Sequence, residues 1–197
     1  MILCFHSVLA IAGLAWAALR GQPNAFLYRP PLGHGTPFGS AQLASSLAIG
    51  TALGLLVVLA TRLLEERFTW ARVLHNEFHH VLGSLTRREI VLLAAASSLG
   101  EEIFFRGALL PQLAMLAPGT SAALAGLVGV LGSSLIFALL HIGPGTRFLP
   151  WTLLSLGVGV LLGGSFVVLG DLFAPIAIHF TVNLLNLQEI VRRPALA

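Results

Sequence analysis

The chain has little charge, no lysine and a single cysteine. Asp, Glu, Lys and Arg make up 10% of its 197 residues, and every basic residue is arginine. A soluble domain carries about 25% charged residues, so this composition excludes a large soluble domain. Cys4 has no second cysteine for an internal disulfide and fits no cysteine-based metal spacing. The sequence has no basic stripe or basic tail, which argues against nucleic-acid binding.

Apolar residues dominate what is present. They make up 56% of the chain, the mean hydropathy is +0.90, and there are 21 glycines. These values predict an integral membrane protein, and small residues let transmembrane helices pack closely. Because a span needs about 20 residues, the length fits about six spans with short loops. The apolar segments lie at approximately residues 1–19, 42–64, 86–113, 120–141, 149–170 and 172–190.

We therefore predict an all-α fold, a polytopic transmembrane helical bundle that forms one integral membrane domain over residues 1–197. Within residues 65–88, large apolar side chains alternate with Arg, Glu and His, which predicts an amphipathic stretch at the membrane interface. Two small-residue motifs have the spacing that allows close helix packing: Gly50-x-x-x-Gly54 and Gly159-x-x-x-Gly163.

Arginine is distributed unequally between the two predicted faces of the bundle. One face carries only Arg20 and Arg29, and the other carries eight: Arg62, Arg67, Arg72, Arg87, Arg88, Arg147, Arg192 and Arg193. Positive residues favour the cytoplasmic side, which predicts that both termini are cytoplasmic. The first segment lacks the basic start of a signal peptide. We expect it to be retained, although Ala15-Trp16-Ala17 faintly resembles a cleavage site.

Two adjacent acids lie in the third apolar segment. Neighbouring helical residues point about 100° apart, so Glu101 and Glu102 cannot share one role. Arg106 follows Glu102 at ion-pair spacing, so we expect Glu102 to bind Arg106 and Glu101 to face a cavity. Ser97, one turn earlier, leaves room beside Glu101. A charge at membrane depth costs roughly 2.5–3.5 kcal/mol, which favours a functional role over a pair of interfacial charges.

Two later segments carry histidine. His141 ends the fourth segment, one turn after Phe137, and alone it would be interpreted as a cap or an interface residue. In the sixth segment, His179 and Asn183 are four residues apart and share a helix face, which Asn186 continues. Such side chains either stabilise a developing oxyanion or hold helices together, and the sixth segment alone leaves both interpretations open.

The motifs together resemble a known family. Glu-Glu-x-x-x-Arg, Phe-x-x-x-His and His-x-x-x-Asn, in this order on separate apolar helices, resemble the CAAX protease and bacteriocin-processing family, which includes the Ras-converting CAAX endoprotease. Two further stretches also resemble sequence motifs of this family: Phe105-Arg106-Gly107 and Ala174-Pro175-x-x-x-His179. The resemblance covers a core of approximately residues 85–190. It implies an intramembrane endopeptidase with a polar cavity between the third, fourth and sixth helices.

The resemblance also implies catalytic roles at the matching positions. Glu101 would act as general base on a water that His141 holds. His179 and Asn183 would stabilise the tetrahedral oxyanion. Two supporting residues would fix the helix: Glu102 and Arg106.

The depths of these residues do not match at first sight. At 1.5 Å per residue, Glu101 lies roughly 20 Å from the start of its helix, whereas His141 lies near the end of its own. Helices staggered around a water-filled cavity would bring the two side chains together, and so would an error of one turn in the helix boundaries.

Three alternatives stay open. A zinc-dependent peptidase is one, because His and Glu bind zinc. The chain has no His-Glu-x-x-His motif, and His75-x-x-x-His79 lies away from the other motifs, so we favour a metal-free mechanism with no cofactor. A non-enzymatic bacteriocin-immunity or scaffold protein on the same fold is the second. A small transporter is the third, although corresponding interrupted helices are not evident in the two halves.

The expected partners are the lipid bilayer and a membrane-associated peptide or protein substrate. A compact, nearly loopless chain of this kind is typical of a bacterial cell (inner) membrane protein. The sequence indicates neither the cleavage sequence nor the oligomeric state.

Overall fold

The described parts of the chain are mainly helical, and short loops join the helices within residues 39–193. A computed structural model describes residues 2–21, 24–28 and 39–193, and no strand forms within these ranges. A π-helical segment, Ile103–Leu109, joins α4 to α5, and a 3₁₀ turn, Thr146–Phe148, precedes α7. The helices are α1 (Ile2–Leu19), α2 (Ser40–Arg67), α3 (Thr69–Leu82), α4 (Arg87–Glu102), α5 (Leu110–Ala114), α6 (Ala122–Leu140), α7 (Leu149–Leu169) and α8 (Phe173–Arg192).

Each predicted apolar segment coincides with a helix or a helical run, so the all-helical architecture is confirmed for the described residues. Three described helical stretches are long and apolar enough to cross a bilayer: Ser40–Arg67, Ala122–Leu140 and Thr146–Leu169. Helix α1 is apolar but shorter. The run from α4 to α5 carries buried charges, and α8 carries a polar stripe, which lowers their hydropathy. The count of six spans therefore stays a prediction.

The long helices expose large apolar side chains. On α6, Leu131, Leu135 and Leu139 recur at four-residue spacing and are each about half exposed. On α2, Leu55 and Leu56 are similarly exposed. Contiguous apolar surface of this kind is unfavourable in water and is what a lipid-facing helix surface presents.

Glycines bring the helix pairs together. A Cβ on Gly50 would overlap the carbonyl oxygen of Ala174 in α8, and one on Gly54 would lie 2.8 Å from the Thr181 Cβ. The second motif packs α7 against α6, since a Cβ on Gly159 would lie 3.1 Å from the Ser134 Cβ. Both small-residue motifs therefore lie at helix interfaces, as their spacing predicts.

The amphipathic stretch contains α3, which follows α2 directly. Its buried face consists of Ala71, Leu74 and His75. Phe78 on this helix packs edge-on against Phe148 of the 3₁₀ turn, with ring centroids 5.5 Å apart. The position of α3 at the membrane interface stays a prediction.

The π-helical segment was not anticipated from the sequence. At its end the backbone N–H of Leu110 donates to the carbonyl of Phe105, five residues back. The next residue, Pro111, lies in the first turn of α5 and has no N–H for a helical hydrogen bond. Such segments are frequent at functional sites, and this one follows Glu102 directly.

The helix ends are staggered. Glu101 lies fourteen residues after the start of α4 at Arg87, whereas His141 is the residue that caps the end of α6. The structure nevertheless places the two side chains within 4 Å of each other. Of the two explanations for the depth mismatch, stagger is therefore the one observed: the first turns of α4 extend well beyond the end of α6.

Candidate active site

Glu101 has two carboxylate oxygens in different surroundings. The residue is 7% exposed, in the last turn of α4. Oε1 lies 3.0 Å from Nε2 of His6. Oε2 lies 3.9 Å from Nε2 of His141 and 3.8 Å from Nε2 of His179, and no described residue gives it a hydrogen bond. A buried carboxylate oxygen in this state is costly, which makes Glu101 a candidate for a chemical role. Oε2 of Glu102 is also buried without a partner among the described residues.

The ring of His141 is held by its own helix end. Its Nδ1 lies 2.7 Å from the carbonyl oxygen of Phe137. A carbonyl only accepts, so Nδ1 carries a proton and Nε2 faces Glu101. The ring also packs against Phe137 and Trp151, with centroids 4.3 and 5.5 Å apart. These contacts fix the direction in which Nε2 points.

His179 is oriented by the second acid. Its Nδ1 lies 2.7 Å from Oε1 of Glu102, and its other nitrogen faces Glu101. A carboxylate orienting one nitrogen of an imidazole while the other works on substrate is a recurring catalytic arrangement. Glu102 therefore contacts a predicted catalytic residue as well as Arg106, which the sequence did not indicate.

Glu102 and Arg106 form an ion pair with no solvent exposure. The guanidinium lies 2.9 Å from Oε1 of Glu102, as the four-residue spacing predicts. Arg106 also donates to the carbonyl of Gly159 in α7 at 3.1 Å, and its Cζ lies 4.6 Å above the ring centre of Phe137 in α6. The Arg106 side chain thus joins three helical segments behind the predicted catalytic groups.

Asn183 lies one turn after His179 on α8. Its Nδ2 donates to Oγ of Ser97 in α4 at 2.9 Å. Ser97 therefore does more than leave room beside Glu101, because it fixes the amide. The amide nitrogen has a second hydrogen that this bond does not use.

A cavity of about 190 Å³ opens in front of these groups. Glu101, His141, His179 and Asn183 line it, whereas Glu102 and Arg106 do not. Side chains of α2 and α7, among them Thr61 and Trp151, complete a largely apolar wall. The cavity has room for several water molecules.

The chain matches a known protein family. Residues 84–185 match the family model described as type II CAAX prenyl endopeptidase Rce1-like, which covers just over half of the 197 residues. The chain belongs to this family. Searches among curated proteins and among solved structures found no significant match. The matched part of the Rce1-like chain contains all six predicted site positions and leaves out α1, α2 and α3.

Sequence reasoning missed His6, which lies in α1 and outside the matched region. Its ring is buried against Glu101 of the Rce1-like core, 95 positions away along the chain. The only available signal was a single imidazole in an otherwise apolar helix, the same anomaly that singled out the other site residues.

The Rce1-like chain offers no evident metal centre in its described ranges. Within them, no group of three or more His, Cys, Asp or Glu side chains has the geometry of a metal site. His75 and His79 have different partners: Nδ1 of His75 lies 3.1 Å from Oε1 of Glu65, and Nδ1 of His79 lies 2.6 Å from the carbonyl oxygen of Ile190. His75 is buried and His79 is half-buried, so neither histidine is fully exposed.

Proposed function

We propose that the protein is an intramembrane endopeptidase that hydrolyses a peptide bond in a membrane-associated peptide or protein. Membership of the Rce1-like family supports peptidase chemistry. The observation that carries the proposal is the free oxygen of Glu101, buried at a cavity wall between two imidazole nitrogens. Glu101 is the general base, and the reaction needs no metal ion.

The attacking water sits between Glu101 and His141. In the neutral ring of His141, Nδ1 holds the only proton, so Nε2 accepts one hydrogen of the water. Oε2 of Glu101 accepts the other and takes it as a proton when the water oxygen attacks the carbonyl carbon. Both acceptors lie on the cavity wall about 4 Å apart, a separation that one water bridges.

His179 and Asn183 stabilise the oxyanion that forms when the carbonyl π electrons move to oxygen. Asn183 donates its second amide hydrogen. His179 already donates through Nδ1 to Glu102, so a donor at Nε2 requires the doubly protonated ring. The local charges are compatible with this form. Glu101 and Glu102 carry two negative charges against the single positive charge of Arg106, and a proton on His179 completes the balance.

Collapse of the tetrahedral intermediate breaks the carbon–nitrogen bond. The leaving amine receives the proton that Glu101 took from the water, which returns the carboxylate to its starting state. Glu102 and Arg106 do not contact substrate in this scheme. They fix α4 against α7 and hold the ring of His179 in its orientation.

The site lies near one end of several helices. His141 caps α6, and Trp151 and Leu154 from the first turns of α7 line the same cavity. If the arginine-rich face is cytoplasmic, substrate reaches the site from the cytoplasmic side of a bacterial inner membrane and both termini lie on that side. The apolar wall suits a peptide tail partly buried in lipid. Processing of bacteriocin-like peptides is one role that fits.

Purified wild type and Glu101→Gln test the proposal against a quenched-fluorescence peptide library in detergent, with and without a chelator. Glu66→Gln, the same change at an exposed residue, is the matched control. We expect cleavage by wild type and by the control, no cleavage by Glu101→Gln, and no effect of the chelator.

Other outcomes separate the alternatives. Loss of wild-type cleavage in the chelator, restored by zinc, would move the assignment to the zinc-dependent peptidase. Cleavage by Glu101→Gln at the wild-type rate would reject Glu101 as the base. If wild type cleaves no peptide in the whole library, a non-enzymatic immunity or scaffold protein on this fold would be favoured.

A further inference from the structure

Helix α1 contributes a buried histidine to the carboxylate proposed as the base. Nε2 of His6 lies 3.0 Å from Oε1 of Glu101, and both side chains are about nine-tenths buried. An ionised carboxylate only accepts hydrogen bonds. When Glu101 is ionised, Nε2 of His6 therefore carries a hydrogen and donates a hydrogen bond to Oε1. The contact joins the first helix to a core that begins at residue 84.

Close backbone packing holds His6 at this position. Gly100 of α4 lies directly against the backbone carbonyl of His6, and a Cβ there would overlap that oxygen. Further along α1, a Cβ on Gly13 would lie 2.9 Å from Cα of Phe104 in the π-helical segment. Two glycines, one on each side of the interface, thus set α1 against the segment that carries Glu101.

The three imidazoles around Glu101 are divided between its oxygens. His141 and His179 face Oε2 from α6 and α8, and His6 binds Oε1 from α1. A carboxylate with one oxygen hydrogen-bonded cannot rotate freely about its last side-chain bond. Oε2 is therefore directed into the cavity, between the two rings that the proposed mechanism uses.

We infer that His6 is a positioning residue of the active site, which fixes the carboxylate plane of Glu101 so that its free oxygen meets the attacking water. This inference rests on the proposed function, because it assigns His6 a role in the reaction of that site. His6 keeps its proton on Nε2 throughout and takes no part in the proton transfer. Misplacement of a reacting group by about 1 Å can cost on the order of 10²-fold in rate.

Variants of the full chain in one detergent test the inference. His6→Ala removes the donor, His6→Gln replaces it with an amide N–H, and Ser7→Ala is the matched control on α1. Ser7 is exposed, and its hydroxyl donates to the carbonyl of Leu3 in its own helix. For each variant, kcat, KM and the midpoint of thermal unfolding are measured on a peptide that wild type cleaves.

We expect His6→Ala to lower kcat by about 10- to 100-fold with KM changed less than about twofold, because substrate binding is untouched. His6→Gln recovers most of the lost kcat, and Ser7→Ala matches wild type. Wild-type kcat in His6→Ala would overturn the inference. If His6→Ala does not fold, His6→Gln decides: folded protein with kcat as low as that of Glu101→Gln would also overturn it.

Infrared spectroscopy separates this inference from the proposed function. The difference spectrum of wild type minus Glu101→Gln isolates the carboxylate bands of Glu101. His6→Ala shifts these bands if His6 donates to Oε1, whether or not the protein cleaves peptides. If the carboxylate bands shift but the protein cleaves no peptide, the proposed peptidase function is rejected and the contact between His6 and Glu101 is supported. Unshifted bands would overturn the role of His6 even in an active enzyme.

Discussion

Asp171 and Glu101 are both buried carboxylates next to helix ends, but their hydrogen bonding differs. Asp171, just before α8, is 0% exposed. Its Oδ2 accepts from Oγ of Ser46 at 2.6 Å and from Nε2 of Gln42 at 3.3 Å. Its Oδ1 accepts from the backbone N–H groups of Phe173 and Ala174 at 2.9 and 3.4 Å. Glu101 has a hydrogen bond on one oxygen and none from a described residue on the other.

We interpret this difference in hydrogen bonding as a difference in role: one carboxylate stabilises the fold, and the other is available for chemistry. Asp171 satisfies the first backbone donors of α8 and joins α2 to that helix, so its charge stabilises the fold. Glu101 leaves an oxygen at the wall of a cavity, where it does not improve stability and can accept a proton. Burial alone does not distinguish the two uses, and neither does an unsatisfied oxygen alone, since Oε2 of Glu102 also has no partner among the described residues. Glu101 differs from Glu102 in that it lines the cavity.

The largest expected effect separates the two acids by activity. Glu101→Gln keeps the size of the side chain and the acceptor for His6 but removes the base, so kcat falls by about 10²- to 10⁴-fold. The midpoint of thermal unfolding stays near that of wild type. Peptide cleavage and thermal unfolding in the same detergent measure both. A large fall in unfolding midpoint would contradict the distinction.

The next effect concerns the buried pair behind the site. Arg106→Ala removes the arginine partner of the buried Glu102 carboxylate, which keeps its contact with His179, and should destabilise the fold by about 3–5 kcal/mol. Arg147→Ala is the control, because Arg147 pairs with Glu77 while 71% exposed and such pairs are worth about 0–1 kcal/mol. Thermal unfolding compares the two variants. Equal stability losses would show that burial does not decide the value of these pairs.

Asn183→Ala should lower kcat by about 10²- to 10³-fold, the usual cost of one oxyanion donor. Asn186→Ala, one turn closer to the end of α8, is the matched control. It lines the same cavity and its Oδ1 accepts from Thr61 instead. Steady-state cleavage measures both variants. Similar losses at the two positions would mean that Asn183 acts through packing.

The smallest effect returns to Asp171. Asp171→Ala removes a helix N-terminal acceptor and should destabilise the protein by about 1–2 kcal/mol. The kcat of the folded fraction should equal that of wild type. Chemical unfolding in mixed micelles gives the first quantity and cleavage normalised to folded protein gives the second. A selective loss of kcat would place Asp171 among the groups that serve the reaction.

Local spacing explains which features were predictable from the sequence. Residues four apart on a helix share a face, so the pairing of Glu102 with Arg106 followed from spacing alone. The separation of the two glutamates into different surroundings followed from the 100° turn between neighbours. Long apolar runs predicted the helices, and the structure confirms these runs as helical.

Contacts between distant parts of the chain were not predictable in this way. The bond between His6 and Glu101 spans 95 positions, and that between Ser46 and Asp171 spans 125. No local pattern in a single sequence indicates which face of α1 meets α4. The stagger of α4 against α6 and the π-helical segment also depend on packing between helices rather than on a local pattern.

Single-turnover cleavage in ¹⁸O-enriched water tests most directly whether Glu101 activates a water molecule. Enzyme in excess over peptide is quenched after one turnover, and the new carboxyl group is analysed by mass spectrometry. We expect one ¹⁸O atom in the first-turnover product, and no product from Glu101→Gln. An unlabelled first-turnover product would contradict this expectation, because the oxygen would then come from the enzyme through a covalent acyl intermediate.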